Sequence, residues 1–398
     1  MAAGPRPDPT KRRLYVLVLA VLCGLAIVRI AISLWPKKSS NSGQSSQVVA
    51  PGLPPEYVAM QAPAPRMTGR YPCVFVLAAD PRPQIGECGM SSSWFSPAVD
   101  IFEVDLRYGA FMVRQTDLFL QDSFAAPFTR TYNSADWFHP NPEHAFGKYS
   151  NQTYDIAPVG TRNPYTWQAI LLEDGNFAYF DRVSPGTSYD DAVFRHTETS
   201  SRFYKSFTYW NGDGWTTKLA DGSKIIFPES YNAKKIADGA PTEIVAANLG
   251  KLLLHRDANR NLQEIRTPHN HTITLAYDDR ERITRAQDDA GNWVEYLYGV
   301  DGMLGAVRYS SGQERHYEYE HYMMTTISDE KNNILLRNRY VNRLLVAQQF
   351  ADGTVYQYAY HWAPGGRYAE NVDIVRADGT QYTVHTGDSV PDHIRQMQ

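Results

Sequence analysis

Five tyrosines, Tyr277, Tyr298, Tyr319, Tyr340 and Tyr360, recur at spacings of 21, 21, 21 and 20 residues. A period of this length means that one small supersecondary unit is copied and stacked, each copy burying its apolar face against its neighbours. Side chains alternate within each copy. Val294, Tyr296 and Tyr298 fall on one face of a strand, with Trp293, Glu295 and Leu297 on the other. Ile273, Leu275 and Tyr277, then Tyr317 and Tyr319, then Tyr356, Tyr358 and Tyr360 repeat the row. Such period-two alternation marks a half-buried strand. A polar turn follows the tyrosine (Asp278 to Arg282, Gly299 to Gly302, Val341 to Arg343) and leads into a second apolar run at Ile283, Leu304 to Val307 or Leu344 to Val346. The next turns, Asp289-Ala290-Gly291-Asn292, Ser311-Gly312-Gln313, Lys331-Asn332-Asn333 and Ala351-Asp352-Gly353-Thr354, are rich in residues that tolerate turn dihedrals. One repeat is one hairpin with strands of about ten residues. The five tyrosines are expected to form the repeat core of a mostly β chain.

The series Tyr277-Asp278, Ile283-Thr284, Asp289-Ala290-Gly291-Asn292 and Tyr296 to Tyr298 resembles the YD repeat of RHS proteins. Upstream, Asp117-Leu118 followed by Pro127-Phe128-Thr129-Arg130-Thr131-Tyr132-Asn133-Ser134 resembles the segment that precedes the repeats in that family. Gly214-Trp215 with Leu219-Ala220-Asp221-Gly222-Ser223 and Phe227, like Leu172-Glu173-Asp174-Gly175 with Phe180, resembles its degenerate early repeats. In the copy beginning at Arg256, arginine stands where the others have tyrosine. The resemblance spans roughly residues 100 to 385 and implies a curved antiparallel sheet of stacked hairpins, an RHS/YD-type β-solenoid strip. A leading cap segment is expected over 71–160, the repeat array over 161–388 and a tail over 389–398. Larger family members coil such hairpins into a hollow shell around a C-terminal toxin. This sequence reaches Gln398 without a recognisable C-terminal core segment, self-cleavage motif or effector. The leading expectation is a surface scaffold that binds a partner protein or glycan; the alternative is a remnant or partial shell of a toxin-delivery protein.

Residues 1–13 are basic, and 14–35 form an apolar run of 22 residues interrupted only by Arg29 and Ser33, long enough for a transmembrane helix. Arg6, Lys11, Arg12 and Arg13 outnumber Lys37 and Lys38, which places the N-terminus in the cytoplasm and the array on the far side of a cell membrane. A cleaved signal peptide is the competing reading. Residues 36–70, rich in Ser, Pro, Gln and Gly, have the composition of a flexible linker. Beyond it, Cys73 and Cys88 could close a disulfide in an oxidising compartment, with two free buried thiols as the other possibility. A formal net charge of -4 argues against nucleic acid as partner.

Chemistry-bearing clusters are sparse. His139 and His144 with Glu143 could hold a metal, but no further ligand is placed by spacing. His269 and His271 sit at a hairpin turn. Asp257, Asn259 and Asn261 imitate the opening of a calcium loop, yet Leu262 and Pro268 stand where it needs glycine and glutamate. Asn151 and Asn270 open glycosylation sequons. With no phosphate loop, zinc-protease helix or nucleophile elbow, the chain is expected to bind without turnover, with no catalytic, cofactor or metal site.

Overall fold

The computed structural model describes residues 71–77, 80–88, 101–135, 145–198 and 201–387. All of them lie within one compact unit, 47–398. The expected transmembrane span 14–35, the linker 36–70, the His139 to His144 loop and the tail 389–398 lie wholly or almost wholly outside the described residues. Among the described residues, no helix is long and apolar enough to cross a membrane.

Among the described residues the chain is mostly antiparallel β, in two sheets. The first has six strands: β1 (Tyr71–Leu77), β2 (Asp80–Cys88), β3 (Ile101–Asp105), β4 (Ala110–Leu120), β5 (Ala126–Asn133) and β6 (Ser150–Gln152), in the order β2-β1-β3-β4-β5-β6. From β7 (Ala157–Gly160) to β27 (Gln381–His385), the second sheet pairs its strands in chain order, hairpin after hairpin. A short helical turn, Ile236–Gly239, interrupts the series before the regular repeats.

Repeat strands are shorter than the sequence period suggests, from the five residues of Leu262–Arg266 to the eight of Val355–Trp362. Turns take up the difference. Except at the two-residue turns His321-Tyr322 and Asn342-Arg343, where both central residues have positive φ, the N–H of the fourth residue bonds the carbonyl of the first, as for Glu281 to Asp278, Gly291 to Asp288, Gly312 to Tyr309 and Gly353 to Phe350. The fourth residue then adopts positive φ: 61° at Glu281, 65° at Arg260 and 89° at Gly291. Turn aspartates hold the loop from within. Asp288 and Asp329 each accept the backbone N–H and the side-chain amide of an asparagine four residues on, Asn292 and Asn333, all at 2.8 Å.

One apolar cluster runs through both sheets, joining Phe111, Phe128 and Tyr132 of the first to Ile273, Val294, Tyr296, Leu336 and Tyr358 of the second. The face of the hairpin sheet that carries the ladder tyrosines therefore packs on the six-stranded sheet. Alternation decides which residues go inside: Val294 and Tyr296 are buried while Glu295 is half-exposed and Leu297 exposed.

Candidate functional site

The tyrosine-bearing face is where the described residues concentrate their buried polar chemistry. Four of the five ladder tyrosines lie at a β-bulge. Tyr277 pairs with Ile283, Tyr298 with Leu304, Tyr319 with Met324 and Tyr340 with Leu345, each just after a slip in register. A bulge leaves backbone groups outside the strand ladder, and a buried backbone group needs another partner.

Both needs are met by specific groups. The carbonyl of each bulge residue accepts the phenol of the next repeat: Tyr298 Oη donates to Ile283 O at 2.5 Å, Tyr319 to Leu304 at 3.0 Å, Tyr340 to Met324 at 2.9 Å and Tyr360 to Leu345 at 2.7 Å. Tyr277 does the same to Leu262 at 2.7 Å. In the degenerate copy Arg256 keeps the relation, its Nε donating to Pro241 O at 3.3 Å.

The bulge N–H groups turn to the leading segment. Ile283 N–H donates to Ala145 O at 2.7 Å, Leu345 N–H to Gly109 O at 3.0 Å and Met324 N–H to Tyr132 Oη at 3.0 Å. Ala369, at the bulge of a later hairpin, donates to Arg107 O at 2.7 Å. Close approach fixes the residue type at Gly109: with φ at 63°, an added Cβ would lie 3.0 Å from Leu344 and 3.2 Å from the Tyr360 ring.

Between the two sheets lies a buried ion pair, Arg130 Nε to Asp117 at 3.1 Å. Asp117 also accepts Tyr296 Oη at 2.9 Å and Tyr309 Oη at 2.7 Å. Arg130 donates further to Gln115 Oε1 at 3.0 Å and Tyr317 Oη at 3.2 Å. Burial alone would lower the Arg130 pKa, but the Asp117 charge outweighs it and raises the value, so the guanidinium stays charged. Burial likewise pushes the phenols of Tyr277, Tyr298, Tyr319 and Tyr340 well above the usual tyrosine range, and that of Tyr360 upward as well. They remain protonated donors at neutral pH.

The aspartate of the Tyr-Asp pair acts in the opposite direction. Asp278 accepts the N–H groups of Arg280 and Arg282 and pairs with the Arg282 guanidinium, which stands 4.2 Å from the Tyr298 ring centroid. Tyrosine ties each hairpin to the repeat before; here aspartate positions a cation over the tyrosine after.

The other sequence candidates are scattered. Cys73 is buried and disulfide-bonded; strand register sets it opposite Gly86 and sets Cys88 opposite Tyr71, while the Cys88 side chain lies outside the described residues. His269 contacts Asp122, and His271 bonds Asp289 at 2.8 Å, so each turn histidine has its own carboxylate. No group of three metal-ligating side chains occurs among the described residues. Asp257 caps its own turn through the Asn261 N–H at 2.9 Å. Of the two sequons, Asn151 is buried with its amide on Asp155 O, whereas Asn270 is exposed.

The bulge contacts were not legible from residue identities, because the acceptors are backbone atoms. A constant offset was visible, however: Leu262, Ile283, Leu304 and Leu345 each precede a ladder tyrosine by 15 residues.

No protein-family model matches the chain. No curated protein matches it either. Among solved structures, it aligns with a TccC3 mutant of the Photorhabdus luminescens Tc holotoxin pore at 11% identity and TM-score 0.26, over 72% of this chain and 16% of that one. It aligns with TcdB2-TccC3 lacking the hypervariable C-terminal region at 12% identity and TM-score 0.29, over 71% and 16%. A third alignment, to TcdB2-TccC3-TEV, has 11% identity and TM-score 0.23 over 73% and 20%. The chain thus spans a fifth or less of the length of these structures.

Proposed function

We propose that this chain is a non-catalytic RHS-type scaffold, a wall element of the kind from which toxin-associated RHS proteins build shells. One observation carries the reading: at three of the four ladder bulges, and again at Ala369, the repeats hold the chain's own leading segment through bulge N–H groups. A repeat surface that grips a non-repeat segment suits enclosure or assembly, and among the described residues no convergent set of acid, base and nucleophile accompanies it. The motif resemblance adds the shell class. In this proposal residues 14–35 anchor the scaffold in a membrane with the repeats outside, and a partner chain contributes to the assembly.

Cross-linking in intact cells, followed by purification of the full chain and mass spectrometry, tests it. A stoichiometric partner polypeptide cross-linked to the repeats is the expected result. A chain that stays alone and turns over a substrate, with turnover lost on changing one side chain, would overturn it. Protease added to intact cells should release a fragment starting within residues 36–70; full protection would remove the anchor from the proposal.

A further inference from the structure

Strand register sets six residues in one line across the hairpin sheet. Arg195 faces Phe207, Phe207 faces Lys218, Lys218 faces Lys224, Lys224 faces Val245 and Val245 faces Lys251. Their chain neighbours Phe194, Ile225, Ile244 and Leu252 belong to the apolar cluster between the sheets, so alternation turns the line to the opposite face. Lys224 is exposed, and Arg195 and Lys218 are half-buried.

The line is short of carboxylates. In the regular repeats a comparable line is neutralised strand by strand: Arg285 faces Glu295, Glu295 faces Arg308 and Arg308 faces Glu314. Arg285 bonds Glu295 at 2.6 Å, and Arg308 bonds Glu314 at 3.0 Å. In the first line Lys251 bonds Glu243 at 3.0 Å, but neither strand beside Lys218 sets a carboxylate against it. Among the described residues no carboxylate bonds Arg195 or Lys224. Lys218 and Lys224 instead face each other, and like charges directly opposite destabilise a sheet. Burial, and after it the Lys224 charge, lower the Lys218 pKa. An anion set between the two ammoniums offsets that repulsion.

We infer that this line binds an acidic polysaccharide whose chain lies across the strands, one anionic group between Lys218 and Lys224 and another at Arg195. From Arg195 to Lys224 the line crosses three strand spacings, about 14 Å. Asp181, opposite Arg195, and Glu243 flank the cations, which suits a narrow chain and penalises a flat anionic lipid surface. Phe207 is fully buried, with the Arg195 guanidinium 5.7 Å from its ring centroid, so no ring among these cations is open for a nucleobase to stack on. The six strands are each paired on both sides, which leaves an acidic peptide no ladder to join. Lysine is a point charge that accepts carboxylate and sulfate alike, so either could supply the anion. The line shares no residue with the tyrosine face, and polysaccharide binding and assembly with a partner chain therefore fail independently.

The full chain is titrated by calorimetry with polygalacturonate and with dextran sulfate, and in parallel with neutral dextran, poly-glutamate, single-stranded DNA and vesicles of anionic phospholipid. Binding to one or both acidic polysaccharides, weakening as salt rises, is the expected result, and the two arms tell which anion the line accepts. Lys224→Glu should weaken that binding about tenfold, whereas Lys331→Glu, the same charge change at an exposed turn off the line, should stay within about twofold. The melting temperature of Lys224→Glu should hold or rise, because an opposite charge then faces Lys218. No binding to either acidic polysaccharide, equal or tighter binding to dextran, poly-glutamate, DNA or vesicles, equal losses in the two variants, or a fall in the Lys224→Glu melting temperature would each overturn the inference.

Discussion

At the ladder positions a phenol is required where a phenyl ring would fill the same space, and the reason is a single oxygen. Without the Tyr298 hydroxyl, the Ile283 carbonyl at the bulge loses its donor. Tyr298→Phe should therefore cost about 1–3 kcal/mol, the penalty for stranding a buried polar group, as measured by chemical denaturation. Glu318→Ala, exposed on the opposite face, should stay within about 0.5 kcal/mol. The same phenols give the chain an alkaline signature. Their folded pKa values are raised by burial, so the unfolded state releases protons first. Their stabilisation is complete below the unfolded value of about 10 and is lost progressively as pH rises above it. Denaturation midpoints should fall above that pH, with tyrosinate absorbance appearing together with unfolding; ionisation of the ladder in a chain that remains folded would contradict the burial argument.

At the scale of the hairpin, turns were the most legible elements, because a turn is written in side chains: aspartate to cap, asparagine or glycine where φ is positive. Bulges were not, since their partners are main-chain atoms or come from a segment more than 100 residues away, as Tyr132 does for Met324. Strand length was misjudged for the same reason. A 21-residue period divides evenly into two strands only if turns are taken as minimal, and most of the turns, at four or five residues, remove that room. Arg260 shows what a departure from turn chemistry costs. It holds φ at 65°, where glycine is unstrained, and one guanidinium nitrogen is buried without a partner. Arg260→Gly should stabilise the protein by up to about 1–2 kcal/mol, read as a rise in denaturation midpoint. Arg256 would keep its bond to the residue-260 carbonyl, which glycine retains. A loss of stability would mean that the Arg260 stem packs more usefully than its dihedral suggests.

For the whole molecule the question is whether the six-stranded sheet and the hairpin sheet are one cooperative body. Sequence reading separated them as cap and array, and their alternating patterns do look independent; what joins them, besides the shared apolar cluster, is the set of repeat tyrosine hydroxyls bonded to the Asp117–Arg130 pair and the bulge amides, neither of which leaves a periodic trace. The two members of the pair are not equivalent. Arg130→Ala leaves Asp117 with two phenol donors, from Tyr296 and Tyr309. Asp117→Ala strands a buried guanidinium and removes the acceptor from both phenols at once. Breaking a buried pair from one side costs about 3–5 kcal/mol, and Asp117→Ala should reach or exceed that range while Arg130→Ala falls at or below its lower end. Hydrogen exchange distinguishes a local effect from a global one. If the sheets fold together, Asp117→Ala should speed exchange at Ile283 and Leu345, whose N–H groups are held by Ala145 and Gly109 on the leading segment. Neither amide bonds Asp117 itself, so acceleration there can reach them only through loosening of the contact between sheets. Faster exchange confined to 110–133, with the repeat amides unchanged, would mean that the hairpin sheet is stable alone and that the leading sheet is cargo it holds.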